Sequence, residues 1–161
     1  MSWEADVAAL WDDESLDDAA RIEPMRRLAV AAPHRSVGLF ELAGAHDAAG
    51  SEHEADALYR SAMDAGLADD DPVRAAQLAI QHASTLRNLG RIDEAIAMLA
   101  AAPEHPSTGA AREAFLALAL HSAGRADDAL RIALEALAPT LPLYRRSVLA
   151  YAAELTEPPQ T

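Results

Sequence analysis

The chain has 161 residues, of which 51% are hydrophobic and 24% are charged, a balance typical of one globular domain. Its formal net charge of −13 disfavours a nucleic-acid partner, because binding to a phosphate backbone depends on a basic surface. The sequence contains no cysteine and no lysine, which excludes disulfides, thiolate metal sites and lysine nucleophiles and leaves arginine as the cation of any anion site.

The N-terminal segment, MSWEADVAALWDDESLDD, has no basic region and no uninterrupted apolar stretch. It therefore predicts neither a secretory signal nor a membrane span, and with the lack of cysteine it favours a cytoplasmic location and no membrane partner. Helical structure continues to about residue 33, with Ser15 and Asp18 as a predicted capping box. Pro24 is expected to divide this segment, because proline removes a helical hydrogen bond and clashes with the preceding turn.

Three glycines, Gly50, Gly90 and Gly124, each follow a helical stretch and precede an acidic segment. They lie 40 and 34 residues apart, a spacing that indicates a repeat architecture. The interruption at Asn88-Leu89-Gly90 is the clearest case, since the helical pattern resumes at once after it. Glycine tolerates the left-handed conformation that ends a helix, so each glycine is predicted to form the turn between two paired helices.

Alanine recurs at three fixed distances from these glycines, seven residues before, five after and twelve after. The nine positions are Ala43, Ala83, Ala117, Ala55, Ala95, Ala129, Ala62, Ala102 and Ala136. Two helices joined by a tight turn approach closely only where their facing side chains are small. The alanines are therefore predicted to lie at the contacts between paired helices.

This pattern resembles the tetratricopeptide repeat, a helix-turn-helix unit of about 34 residues. The segments ELAGAHDAAG, STLRNLG and ALALHSAG are similar to its bacterial group-5 subfamily. The resemblance implies an all-α fold, an α-α superhelix or right-handed solenoid, in one domain over residues 1–156. Its expected parts are a degenerate repeat at 1–33, repeats at 34–66, 72–104 and 107–138, a capping helix at 141–156 and a disordered tail at 157–161.

Helices are predicted in each repeat at 34–49, 52–66, 72–89, 91–102, 108–123 and 125–138. Their expected N-terminal caps are Ser51 with Glu54, Asp71 before Pro72, and Ser107 or Thr108. Two residues depart from the repeat pattern. His82 stands where leucine is customary, and Ala133 stands where a large apolar residue is usual.

In the family, fixed positions on the first helix of each repeat face a concave groove that binds partner proteins. Transferred to this chain, those positions are Val37, Phe40, Glu41, Gly44, Asp47, Ala48, Gln77, Ile80, Gln81, Ser84, Arg87, Asn88, Ala111, Ala114, Phe115, Leu118, His121 and Ser122. The residues favoured for partner binding are Phe40, Asp47, Gln77, Gln81, Ser84, Arg87, Asn88, Phe115, Leu118 and His121.

The predicted helix 72–89 carries a stripe of polar side chains at helical spacing, and an aromatic residue of each neighbouring repeat lies beside it. The stripe consists of Gln77, Gln81, Ser84 and Arg87 or Asn88. Such a surface suits a bound peptide or helix, with Phe40 and Phe115 as apolar anchors and Arg87 pairing with main chain or an acidic group. Alternatively, Arg87 pairs internally with a carboxylate such as Asp47, and the polar stripe is simply solvated.

Catalysis finds little support in the sequence, so we expect a non-enzymatic protein with no cofactor. The histidines show no paired metal-ligand spacing, and HEADA at 53–57 lacks the second histidine of a zincin motif. His46 and His82 fall on packing positions, where a satisfied buried imidazole is expected. Two hypotheses follow: an adaptor that receives a partner peptide or helix in its groove, or a homo-oligomeric scaffold that uses the groove or the C-terminal helix.

Overall fold

A computed structural model describes residues 2–157, and the regular elements in that range are all helices, as the sequence predicts. They are α1 (Trp3–Trp11), α2 (Asp18–Val30), α3 (Arg35–Ala48), α4 (Glu52–Asp64), α5 (Leu67–Asp70), α6 (Pro72–Asn88), α7 (Ile92–Ala101), α8 (Ala111–Ser122), α9 (Ala126–Leu137), a 3-10 turn (Ala138–Thr140) and α10 (Arg145–Glu154). Most of the predicted disordered tail, residues 158–161, lies outside the described residues.

The helices from α3 to α9 pack as consecutive pairs. Helix α3 packs on α4, α6 on α7 and α8 on α9, while α4 contacts α6 and α7 contacts α8. The first helices of the pairs also contact one another, α3 with α6 and α6 with α8. This arrangement forms an inner layer of α3, α6 and α8 against an outer layer of α4, α7 and α9, as expected for a superhelix of helical pairs.

The turn within each pair is built in the same way. Gly90 adopts a left-handed conformation with φ of 77°, and its amide donates to the Arg87 carbonyl oxygen at 3.0 Å. The Arg91 amide then donates to the Leu86 carbonyl oxygen at 2.8 Å, which completes a Schellman motif. Gly50 and Gly124 have φ of 73° and 76° and equivalent hydrogen bonds. The left-handed turn predicted at each glycine is therefore confirmed.

The alanines fixed relative to these glycines lie between the packed helices. Eight of the nine are buried, and Ala136 in α9 is half-buried. Larger side chains fill the space beside them, with Tyr59 at 0% exposure in the first pair and Leu99 at 1% in the second. Short side chains at the contacts and one large side chain beside them give the close packing that the alanine pattern predicts.

The prediction that Pro24 divides the N-terminal helical segment is wrong, because α2 runs through it from Asp18 to Val30. Tertiary contacts on both sides outweigh the lost hydrogen bond. Met25 is fully buried, and the Arg21 guanidinium donates to the carbonyl oxygens of Leu10, Asp13 and Leu16 at 3.2–3.3 Å. These bonds hold the start of α2 against the preceding loop.

Two predicted caps are also wrong, and a third is right only in its position. The cap of α2 is Asp17, which accepts a hydrogen bond from the Ala20 amide, whereas Ser15 bonds to Asp13. Ser51 is the N-cap residue of α4, as predicted, but its side chain makes no capping hydrogen bond. Helix α8 begins only at Ala111 with Ala110 as its N-cap, and the Thr108 hydroxyl donates to the His105 carbonyl oxygen instead of capping the helix. The cap predicted at Asp71 is confirmed, with Oδ1 accepting from the Arg74 amide at 3.0 Å.

The C-terminal part of the chain is packed less fully. Helix α10 contacts α9 and buries Ala152, but several large apolar side chains of α9, α10 and the loop between them are exposed. These are Leu130, Leu137, Leu143, Tyr144, Leu149 and Tyr151. Among the described residues, no helix has both the length and the apolar character needed to cross a membrane.

Candidate functional site

A cleft of about 600 Å³ opens on the inner layer between α3 and α6. Helix α1 forms one end of it, and the second helix of the first pair, α4, contributes a tyrosine from below. Its lining residues are Trp11, Phe40, Glu41, Gly44, Asp47, Ala48, Tyr59, Gln77, Gln81, Ser84 and Asn88. We call this cavity the α3–α6 cleft.

One end of the cleft is fixed by Glu41, which is only 7% exposed. Its Oε2 accepts from the Trp11 indole nitrogen at 3.0 Å, and its Oε1 accepts from Arg74 Nε at 2.8 Å. Arg74 also bonds to Asp71 at 2.7 Å and to Glu4 of α1 at 2.7 Å. Burial alone would lower the pKa of Arg74, but its hydrogen bonds to the three carboxylates outweigh this effect and raise the pKa well above its usual value. The network ties α1 to the inner layer and holds Trp11 at the edge of the cleft.

The other end of the cleft is formed around Asp47. Its Oδ1 accepts from the Thr85 hydroxyl at 2.9 Å, and its Oδ2 lies 3.4 Å from the Tyr59 hydroxyl. The same Tyr59 hydroxyl lies 3.0 Å from Gln81 Oε1. Burial raises the pKa of Asp47, and the hydrogen bonds from Thr85 and Tyr59 offset this only in part. Burial, and then the charge of Asp47, also raise the pKa of Tyr59 well above its usual value.

Many of the residues predicted to face the groove meet in this cleft. From α3 these are Phe40, Glu41, Gly44, Asp47 and Ala48, and from α6 they are Gln77, Gln81, Ser84 and Asn88. Phe40 is 4% exposed and packs against Tyr59 with ring centroids 6.4 Å apart, so it forms the floor of the cleft. Val37 and Ile80 are buried in the core.

The remaining predicted residues lie apart from the cleft. Phe115 is half-buried and packs against the core of the second pair, while Leu118 is 49% exposed and His121 is exposed on α8. Arg87 donates from Nε to the Ser122 hydroxyl at 2.8 Å and so connects α6 with α8. The alternative in which Arg87 pairs with Asp47 is wrong, because Asp47 bonds to Thr85 and Tyr59 instead.

The two histidines at packing positions are only partly satisfied. His82 is 1% exposed, and its Nε2 lies 2.6 Å from Asp56 Oδ1, but its Nδ1 has no partner among residues 2–157. Burial lowers the pKa of His82 despite the adjacent carboxylate. Asp56 already has ion pairs with Arg60 and Arg91 at 3.0 and 2.9 Å, so it does not require a protonated imidazole. The Nδ1 atom of His46 is likewise buried without a partner in the described chain.

Two residues that line the cleft, Trp11 and Tyr59, were not among those predicted to face the groove. Trp11 belongs to a segment outside the regular repeats, and nothing in its local pattern indicates that α1 reaches the inner layer. Tyr59 fits the repeat as a packing residue, which its burial supports. Its position on α4 gives no sign that its hydroxyl extends between the alanines to Asp47 and Gln81.

The sequence of the chain, compared with known families, matches one of them over most of its length. The model of the tetratrico peptide repeat family, group 5, matches residues 36–155. The chain is a tetratricopeptide repeat protein. No curated protein and no solved structure matches it significantly. Tetratricopeptide repeats generally mediate protein–protein interactions and are typically non-enzymatic.

Within residues 2–157, no group of three or more acidic, histidine or cysteine side chains is placed to hold a metal ion.

Proposed function

We propose that this protein is a non-enzymatic interaction module that binds a peptide or helix of a partner protein in the α3–α6 cleft. The observation that carries the proposal is the cleft itself, an open concave cavity of about 600 Å³ on the inner layer of the repeats. Ligand sites are typically concave with a few polar groups that set orientation, and peptides or helices of partner proteins commonly bind in grooves.

The lining of the cleft supports a peptide ligand. Trp11 is half-buried and offers aromatic surface beside the floor formed by Phe40, and aromatic contacts supply much of the binding energy at protein interfaces. On the opposite wall Gln77, Gln81 and Ser84 are half-buried along one face of α6. Side-chain amides and hydroxyls both donate and accept hydrogen bonds, so this wall can pair with the main chain of an extended or helical segment.

Site-specific photocrosslinking in the cells that make the protein tests this proposal. A benzoylphenylalanine at Ser84 would stand in the cleft, and the same residue at Ala57 or Ala100 would stand exposed on the outer helices α4 and α7. We expect the Ser84 variant to capture a distinct protein that the two outer variants do not capture. Capture of the same proteins from all three positions would remove the cleft as the binding site.

A second candidate function is self-association through the C-terminal part of the chain. It is favoured by the exposed apolar side chains there, with Leu143 at 66%, Tyr144 at 77% and Tyr151 at 67% exposure. Exposed apolar groups that lie close together often mark interaction surfaces. Light scattering over a hundredfold dilution tests this candidate. A mass that stays at the monomer value at every concentration excludes it, and a mass that falls on dilution supports it.

We also propose a cytoplasmic location and a partner that is neither nucleic acid nor a membrane surface. The net charge of −13 supports the choice of a protein partner, since both of those surfaces carry negative charge. The lack of cysteine fits a reducing compartment. We further propose that α1 and α2 form a degenerate repeat and that α10 acts as a capping helix, because each packs on the adjacent helical pair.

A further inference from the structure

The residues that line the α3–α6 cleft carry charge of one sign. Among the lining residues, which all lie within the described chain, Glu41 and Asp47 are acidic and none is basic. Arg74 lies behind Glu41 and is already paired with three carboxylates. An acidic group entering the cleft would therefore meet two like charges, whereas a cationic group would meet two opposite ones.

The two carboxylates differ in what they can still accept. Glu41 is held by Trp11 at one oxygen and by Arg74 at the other, so its strong acceptor directions are occupied. Asp47 has no ion-pair partner within residues 2–157, and only its Oδ1 has a short hydrogen bond, from Thr85. Asp47 is thus a half-buried charge without a counterion, which is costly to maintain in the free protein.

The second oxygen of Asp47 is the less satisfied one. Its nearest donor is the Tyr59 hydroxyl at 3.4 Å, a long distance for an O–H donor. That hydroxyl has a single proton, and Gln81 Oε1 lies nearer to it, at 3.0 Å. When the proton serves Gln81, Asp47 Oδ2 lacks a strong donor and can accept one from a ligand.

We propose that the cleft receives a basic side chain, arginine or lysine, of the partner segment, with its cationic head on Asp47 and its aliphatic stem on Trp11, over the floor formed by Phe40. The proposal deepens the proposed function and rests on it. The stem of a basic residue packs well on apolar surface while its head reaches a polar group, and the cleft offers both in one cavity. Gln81 and Ser84 on the α6 wall can accept the remaining donors of a guanidinium.

Three short peptides that differ in one side chain test the charge of the occupant. The probes are acetyl-Leu-Arg-Leu-amide, its citrulline counterpart, which has the same shape without the charge, and its glutamate counterpart. Each is titrated to millimolar concentration into the whole ¹⁵N-labelled protein, and the indole signals of Trp11 and Trp3 are followed. Trp11 reports on the cleft, whereas the Trp3 indole donates to the Leu28 carbonyl oxygen at 2.8 Å and serves as the internal reference.

We expect the arginine peptide to shift the Trp11 signal with an affinity at least about tenfold higher than the citrulline peptide, as for a charge-assisted hydrogen bond. The glutamate peptide should leave the signal unchanged. Equal shifts with all three peptides, a preference for glutamate, or no shift with arginine overturns the assignment of a basic occupant. Photocrosslinking from Ser84 is independent of these outcomes, so failure here is distinguishable from failure of the cleft as the partner site.

Two substitutions that each remove one negative charge isolate the role of Asp47. Asp47→Asn keeps the acceptor for Thr85 but removes the charge, and Asp64→Asn removes one charge from an exposed position on α4. We expect Asp47→Asn to weaken the arginine peptide at least about tenfold and to abolish its advantage over citrulline. Asp64→Asn should leave both unchanged. The urea unfolding midpoint of each variant checks that it is folded. Equal weakening of arginine-peptide binding by both substitutions overturns the assignment.

Discussion

The close packing of α3 against its neighbours can be tested with two glycines of that one helix. Alanine is favoured over glycine inside a helix by about 1 kcal/mol, so both Gly38→Ala and Gly44→Ala gain this amount. They differ in what the added methyl group meets. At Gly44 it would lie 3.5 Å from the Trp11 ring and 3.9 Å from Gln81 Oε1, which are ordinary contacts. At Gly38 it would collide with the Ala29 carbonyl oxygen and lie 2.9 Å from the Ala32 methyl carbon.

The expected stabilities of the two variants therefore have opposite signs. Gly44→Ala should stabilise the protein by about 1 kcal/mol, which for a chain of this size raises the melting temperature by about 2–4 °C. Gly38→Ala should destabilise it, because the obstacle is backbone that cannot rotate aside and overpacking costs about 1–3 kcal/mol.

Urea unfolding followed by circular dichroism measures both variants against the wild type. We expect Gly44→Ala to be more stable than Gly38→Ala by about 2 kcal/mol, because both gain the same helix propensity and only Gly38→Ala has the cost of overpacking. Equal stability of the two variants would refute the close contact of α3 with the end of α2 at Gly38. A loss of stability in Gly44→Ala would refute the ordinary van der Waals contact expected between the added methyl group and Trp11.

Two further predictions concern buried ionisable groups. Because the pKa of His82 is lowered by burial, stability is lost as the pH falls from about 6.5 towards the folded-state pKa. Melting temperatures between about pH 7 and pH 5 should therefore fall more steeply for the wild type than for His82→Leu, and parallel curves would contradict this. Arg74→Gln should cost about 3 kcal/mol in urea unfolding, since it leaves Glu41 buried without its cation. The exposed control Arg26→Gln should change stability by less than about 0.5 kcal/mol, and equal losses would argue against the network at α1.

The fold could be predicted from the sequence because its determinants are local and recur. A glycine at each turn and alanines at fixed distances from it define a helical pair, and the same pair occurs three times. Gly90 shows why this works, since the left-handed turn is set by the residue itself and needs no distant contact. Pro24 shows the limit. Its local preference opposes a helix, and contacts of Arg21 and Met25 with other parts of the chain outweigh it.

The candidate site could be predicted only in part. The position of residues such as Asp47 in α3 and Gln81 in α6 could be predicted from the repeat register, because one face of each first helix lines the groove. Trp11 could not be found this way, since its place depends on how α1 packs through Glu41 and Arg74, far along the chain. The alternative in which Arg87 pairs internally with Asp47 failed for a tertiary reason. Its guanidinium bonds to Ser122 of the next repeat, away from the cleft.

The most direct test of the α3–α6 cleft as the partner site is a titration of the ¹⁵N-labelled protein with the purified partner captured from Ser84. The Trp11 indole donates to Glu41 at 3.0 Å at the edge of the cleft, so a bound segment must change its surroundings. We predict that the Trp11 indole signal shifts in step with binding measured by calorimetry, while the Trp3 signal does not. Saturable binding that leaves the Trp11 signal unmoved would contradict the account.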